Sequence, residues 1–190
     1  MPLPSRDSAL ALLHEYTASD SLRKHMLAVE AAMRAYAEKF GEDVERWGLA
    51  GLMHDFDYER FPNDAHSPTA EHPAEGVRVL RGLGYPEDVL EAILGHANYS
   101  GVPRRTPMAK ALFAVDELAG FIVACAKVRP NGVSDLEPSS VKKKLKDKAF
   151  AAAVSREDIR KGVADLGVDE TEHIRTCIEA IRGERDRLGV

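Results

Sequence analysis

Apolar positions recur with a helical period along nearly the whole chain. Ser19 or Asp20 is placed to cap a helix that runs to Phe40. Leu22, His25, Met26, Val29, Met33, Tyr36 and Phe40 then fall at spacings of three and four, on one stripe. Gly41 is suited to close that helix. Asp43 starts a shorter helix with Val44, Trp47, Ala50 and His54 on one side. Residues 56–71 hold two prolines, several turn formers and no period, which predicts a loop. Pro73 opens the next helix, closed by Gly82 or Gly84, and Pro86 opens another that ends around His96. After a loop over ANYSGVPRRT, Pro107 opens a long apolar helix through about Val128, with Leu112, Asp116, Ala119 and Ile122 or Val123 on one face. A turn at Pro130-Asn131-Gly132 precedes a lysine-rich stretch. Ser155 begins a capping-box-like SRED, and a final helix is expected from about Asp169 to Leu188. The expectation is an all-α chain: a bundle core over 1–130 and a helical extension over 131–190 packed on it.

Composition agrees with that picture. Hydrophobic residues make up 44% and charged residues 30% of 190 residues, the balance of a globular protein with its own core. Few aromatics and many good helix formers favour helix over sheet. The formal charge of −5 argues against general nucleic-acid binding. Cys125 and Cys177 sit in apolar surroundings outside any CxxC, and read as buried free thiols. The start, MPLPSRDSAL, lacks a basic stretch followed by an apolar run, and no segment is apolar enough to span a membrane. A cytoplasmic location is therefore expected.

Three polar residues break the apolar faces. His25 lies on the Leu22–Val29 stripe, His54 on the Trp47–Ala50 stripe and Asp116 inside an apolar helix. Burying an unpaired carboxylate costs far more than one hydrogen bond returns, so Asp116 needs a cation or strong donors. A metal shared with two neutral imidazoles meets that need and accounts for all three exceptions.

The ordered set His25, His54-Asp55, Asp116 resembles the signature of the HD superfamily of metal-dependent hydrolases. GLMHDFDYERFP carries the adjacent pair at the end of an apolar helix. EHPAEGVRVL is similar to the HPxxG element, LGHANYSG to the segment of a further histidine, and AVDELAG to that of the distal aspartate. The likeness covers residues 20–128. It implies an HD-domain helical bundle in which His25, His54, Asp55 and Asp116 bind one metal. It further implies that His72 and His96 add a second metal, with Asp55 bridging, and that Asp55 and His54 are central to catalysis. Imidazole with carboxylate suits one or two divalent ions among Mn, Fe, Co, Ni and Zn. His14, His66 and His173 belong to no motif, although His66 follows the pair in a loop that could face the cleft.

Such a site implies hydrolysis of a small phosphorylated molecule, a nucleotide in particular, by a water whose pKa a metal lowers toward about 7. Arg104 and Arg105, in the loop beside His96, and Lys110 are expected to bind substrate phosphate, for which arginine offers a matching fork. Asp57 or Glu59 is a candidate proton shuttle, against a reading as turn residues. Lys142–Lys148 reads as a solvated helix face, with a nucleotide clamp as the alternative. The chain departs from many phosphohydrolase relatives, which have lysine three residues after the His-Asp aspartate; Tyr58 stands there. The acidic pair of alarmone hydrolases is not matched in that region, where Tyr58 and Glu59 follow Asp57, and no GYP element follows HDFDYERFP. Two other functions use the same residues: a di-iron oxygenase and a non-catalytic ligand sensor.

Overall fold

Ser5, Ser19, Asp43, Thr106, Ser155 and Asp169 each turn a side-chain oxygen onto a first-turn amide of the helix that follows. Each such cap contributes about 1 kcal/mol and fixes where a helix begins. The computed structural model describes residues 3–190; Met1 and Pro2, where the leader reading begins, lie outside them. Among the described residues there are ten α-helices and no strand. They are α1 (Arg6–Tyr16), α2 (Asp20–Phe40), α3 (Val44–Met53), α4 (Ala74–Gly82), α5 (Glu87–His96), α6 (Pro107–Lys127), α7 (Pro138–Leu145), α8 (Arg156–Leu166), α9 (Glu170–Gly183) and α10 (Arg185–Leu188). A 3-10 turn, Asn98–Ser100, follows α5.

The two 21-residue helices, α2 and α6, are the frame. α2 packs along α3, α6 and α9, while α6 also meets α5 and α8. Two crossings depend on glycine. A Cβ on Gly51 would stand 2.9 Å from the Cα of Glu30, and one on Gly162 would stand 2.6 Å from the Cα of Ala114. These distances let α3 close on α2, and α8 on α6. The buried core is continuous from Ala9 to Leu188, so residues after 131 share it with those before. His173 of α9 is fully buried there, accepting from the Tyr36 hydroxyl at 2.5 Å and donating to the Ala114 carbonyl at 2.9 Å. Cys125 and Cys177 are buried and unbridged, and burial pushes the Cys177 thiol up to about 12.

Two features differ from expectation. α1 was not anticipated; it buries only Ala9 and Leu13 and is tied down by Arg6, which grips the buried Glu30 carboxylate at 2.6 and 2.8 Å. Arg34 shares that carboxylate at 3.0 Å and reaches Glu45 of α3. The last helix, expected unbroken to Leu188, stops at Gly183, because Glu184 leaves helical geometry at φ −107°, ψ 11°.

Candidate metal centre

α3 delivers His54 at its C-terminal end, still in helical geometry, so Asp55 follows it into the interhelical space. α2 contributes His25, α6 contributes Asp116, α5 ends on His96, and the loop before α4 brings His72. All six predicted ligands therefore meet at one place. Nε2 of His25, Nε2 of His54 and Oδ1 of Asp116 form one triad, with separations of 3.0, 3.3 and 3.3 Å. Nε2 of His72, Nε2 of His96 and Oδ1 of Asp55 form a second, at 3.2, 3.2 and 3.4 Å. The other oxygen of Asp55, Oδ2, faces the first triad, 3.4 Å from His54 and 3.7 Å from His25.

The imidazoles are held so that these atoms carry lone pairs. His54 donates through Nδ1 to the Gly51 carbonyl at 2.8 Å, and His96 to the Ile93 carbonyl at 2.5 Å. His72 donates through Nδ1 to Oδ1 of Asp57 at 2.7 Å. A neutral imidazole has one donor and one acceptor nitrogen. In the neutral form, Nε2 of His54, His72 and His96 is thus an acceptor facing other acceptors, an arrangement that a cation satisfies. Coordination bonds of about 2.1 Å place ligands about 3.0 Å apart at right angles and about 3.4 Å apart in a tetrahedron. Each triad matches those edges and could hold a divalent ion. Asp116 is not sealed in the core, as its helix suggested; its side chain is 18% exposed and faces the cleft.

Electrostatics point the same way. Burial disfavours charge on His54, yet Asp55 and Asp116 hold its pKa well above the usual histidine value. Burial likewise opposes ionisation of both carboxylates, but His54, with His72 and His96 at Asp55 and His25 at Asp116, keeps them well below the carboxylate range. For His72 burial opposes charge, and Asp55 and Asp57 push the value up to about 9. These directions all favour positive charge among the carboxylates, which a divalent ion would supply.

The ligands open onto a cleft of about 660 Å³, walled by Tyr58, Asn63, His66, Tyr99, Glu117 and Asp158 among others. His66 does reach it, with its ring 4.9 Å from that of Tyr99. Glu117, lifted to about 7 by burial and by Asp116, accepts from the Ser155 amide at 2.9 Å. It fills the acceptor role that SRED suggested for Asp158, which instead accepts from Asn98 at 3.0 Å. Neither Glu117 nor Tyr99 has a motif that singles it out in the sequence.

The expected phosphate ligands are elsewhere. Arg104 lies over the Phe113 ring and donates to the Gly95 carbonyl at 2.8 Å, so its guanidinium is used in packing. Arg105 is exposed on its loop, and neither it nor Lys110 lines the cleft. The two shuttle candidates are also structural. Asp57 is buried behind His72 with its other oxygen on the Gly76 amide at 2.7 Å. Glu59 accepts from the amides of Ala18 and Ser19, ahead of α2. His14 is exposed on α1.

The HD domain family model matches residues 22–120, more than half of the chain, and the chain belongs to that family. It is 26% identical over 171 residues to ribonuclease Y of Nitratidesulfovibrio vulgaris, strains DP4 and Hildenborough, and 27% identical over 171 residues to ribonuclease Y of Oleidesulfovibrio alaskensis G20. Each alignment covers 84% of this chain but 30% of the relative, so the chain spans less than a third of the curated proteins it matches. No solved structure matches at a significant level. HD domains bind divalent metals, and the two triads are the groups that fit them here. Family and relatives together support a place among metal-dependent phosphohydrolases. Among the described residues no helix is long and apolar enough to cross a membrane.

Proposed function

We propose that the chain hydrolyses a phosphoester of a small phosphorylated molecule, a nucleotide in particular, at a centre of two divalent metals. The observation that carries this reading is Asp55, whose two oxygens face two different His-containing triads. His25, His54, Asp116 and Oδ2 of Asp55 would hold one ion; His72, His96 and Oδ1 of Asp55 the other. Such ions supply an acidified water as nucleophile and positive charge for the phosphoryl oxygens. The chain's own part is to hold four imidazoles and two carboxylates in place. The Gly51 and Ile93 carbonyls fix His54 and His96, and Asp57 fixes His72. Asp55 and His54 are the pair on which activity depends most. Asn63, His66 and Tyr99 line the same cleft and offer a bound phosphoester polar side chains. The likeness to ribonuclease Y supports a phosphoester joined to a nucleoside.

The test is phosphate release from a nucleotide panel by metal-loaded protein under anaerobic conditions. Metal-stimulated release that is lost in Asp55→Ala is expected. Wild-type turnover in Asp55→Ala rejects the mechanism. Oxygen-dependent turnover with no phosphate release would fit the di-iron oxygenase instead, and ligand binding without any turnover would fit the sensor.

A further inference from the structure

A second cavity, of about 880 Å³, opens between α7, the segment that follows it, and α8. Lys142, Lys146, Lys148, Arg156 and Arg160 line it against a single carboxylate, Glu170. Lys142 is engaged, 3.1 Å from Glu170 and donating to Thr171 at 2.7 Å. Arg156 spends its guanidinium on the carbonyls of Asp147, Phe150, Ala151 and Val154, which pins the 147–154 segment without neutralising the charge. Lys146, Lys148 and Arg160 make no ion pair among the described residues. What distinguishes these three from other unpaired cations of the chain is that they line one concavity together with Lys142 and Arg156, in a chain of net charge −5.

The cavity adjoins the metal cleft. Val154 lines both, Ala152 faces the basic side and Ala153 the cleft, and α8 presents Asp158 to one and Arg160 to the other. Val154 is thus a common wall between the cleft that holds the candidate ligands and the cavity that holds the free cations. A solvated helix face would need no concavity and no shared wall with the cleft. Concave walls of one charge sign focus the field on an anion.

We propose that the basic cavity binds a second phosphate of the molecule held at the metal centre. The substrate class is then one with two or more phosphates spaced along a chain, such as a nucleoside 3′,5′-bisphosphate or a short oligonucleotide, rather than a simple monoester. This rests on the phosphohydrolase reading above.

The test uses the full chain and three fluorescent probes: a mononucleotide, a nucleoside bisphosphate and a tetranucleotide. Binding is read by anisotropy with metal present, on probes whose phosphoesters are replaced by non-hydrolysable methylenephosphonates, and turnover is read with the unmodified probes. Arg156 is left intact because it holds the 147–154 segment. Lys146→Ala/Lys148→Ala/Arg160→Ala should weaken binding of the two multi-phosphate probes at least ten-fold more than that of the mononucleotide. It should also flatten the salt dependence of their binding. With metal, KM for those probes should rise by a similar factor while kcat holds. Lys146→Arg/Lys148→Arg/Arg160→Lys should restore binding, which separates charge from fold. A greater loss for the tetranucleotide than for the bisphosphate assigns a strand; equal losses assign the small molecule. Equal binding of all probes by wild type and the alanine variant overturns the proposal. If the binding difference stands while no probe is hydrolysed by metal-loaded wild type, the hydrolase reading fails and the phosphate site holds.

Discussion

The amide of Gly76 donates to Oδ2 of Asp57 at 2.7 Å, and a Cβ on residue 76 would stand 2.5 Å from the Cγ of that carboxylate. The HPxxG glycine is therefore a space for Asp57, which in turn orients His72. Gly76→Ala should displace Asp57 and reduce metal affinity of the His72/His96 triad about 10- to 100-fold, the usual cost of losing such a support. The His25/His54/Asp116 triad should keep its metal. Metal titration followed by mass spectrometry checks this; equal loss from both triads would show that Gly76 serves the fold as a whole.

The Gly162 crossing offers a second contrast. Its missing Cβ faces the backbone of Ala114, which cannot yield as a side-chain tip can. Gly162→Ala should cost roughly 1–3 kcal/mol by forcing α8 off α6. Gly82→Ala meets nothing within 4 Å and should be neutral or stabilise by about 0.4–1 kcal/mol, through the unfolded chain. Urea unfolding of both variants measures the difference, and a tolerated Gly162→Ala would show that the two helices can separate freely.

How much of this was legible before the structure depends on what each residue type requires. The six candidate ligands, which the fold brings together, were readable because His25, His54 and Asp116 break apolar faces and because the ordered motif adds Asp55, His72 and His96. Helix starts were readable from caps such as Ser19 and Asp43, which act locally. α1 was not, because its anchor is Arg6 on Glu30, a pairing across 24 residues that has no local period. Asp57 and Glu59 read as shuttles because their type permits it; only the fold shows one behind His72 and the other on the Ala18 and Ser19 amides. The same holds for Arg104, whose stacking on Phe113 depends on how α6 passes its loop.

His173 predicts a pH response of stability distinct from that of the metal ligands. Burial holds its pKa below the ordinary histidine value, while its neutral ring bridges Tyr36 and Ala114. The unfolded chain then binds the proton more readily than the folded one, so this contribution is present above about pH 6.5 and is lost as pH falls toward the folded value. Wild type should therefore lose stability faster than His173→Gln between pH 7 and pH 5 in denaturant titrations. Parallel losses would mean that His173 is protonated in the fold.

Metal content per chain tests the central claim, that Asp55 joins two metal sites, most directly. Protein loaded with Mn, Fe, Co, Ni or Zn and freed of excess should carry two ions, by elemental mass spectrometry. His72→Ala should carry one, and Asp55→Ala should lose tightly bound metal from both sites. A wild type with a single ion whose content His72→Ala leaves unchanged would contradict the account.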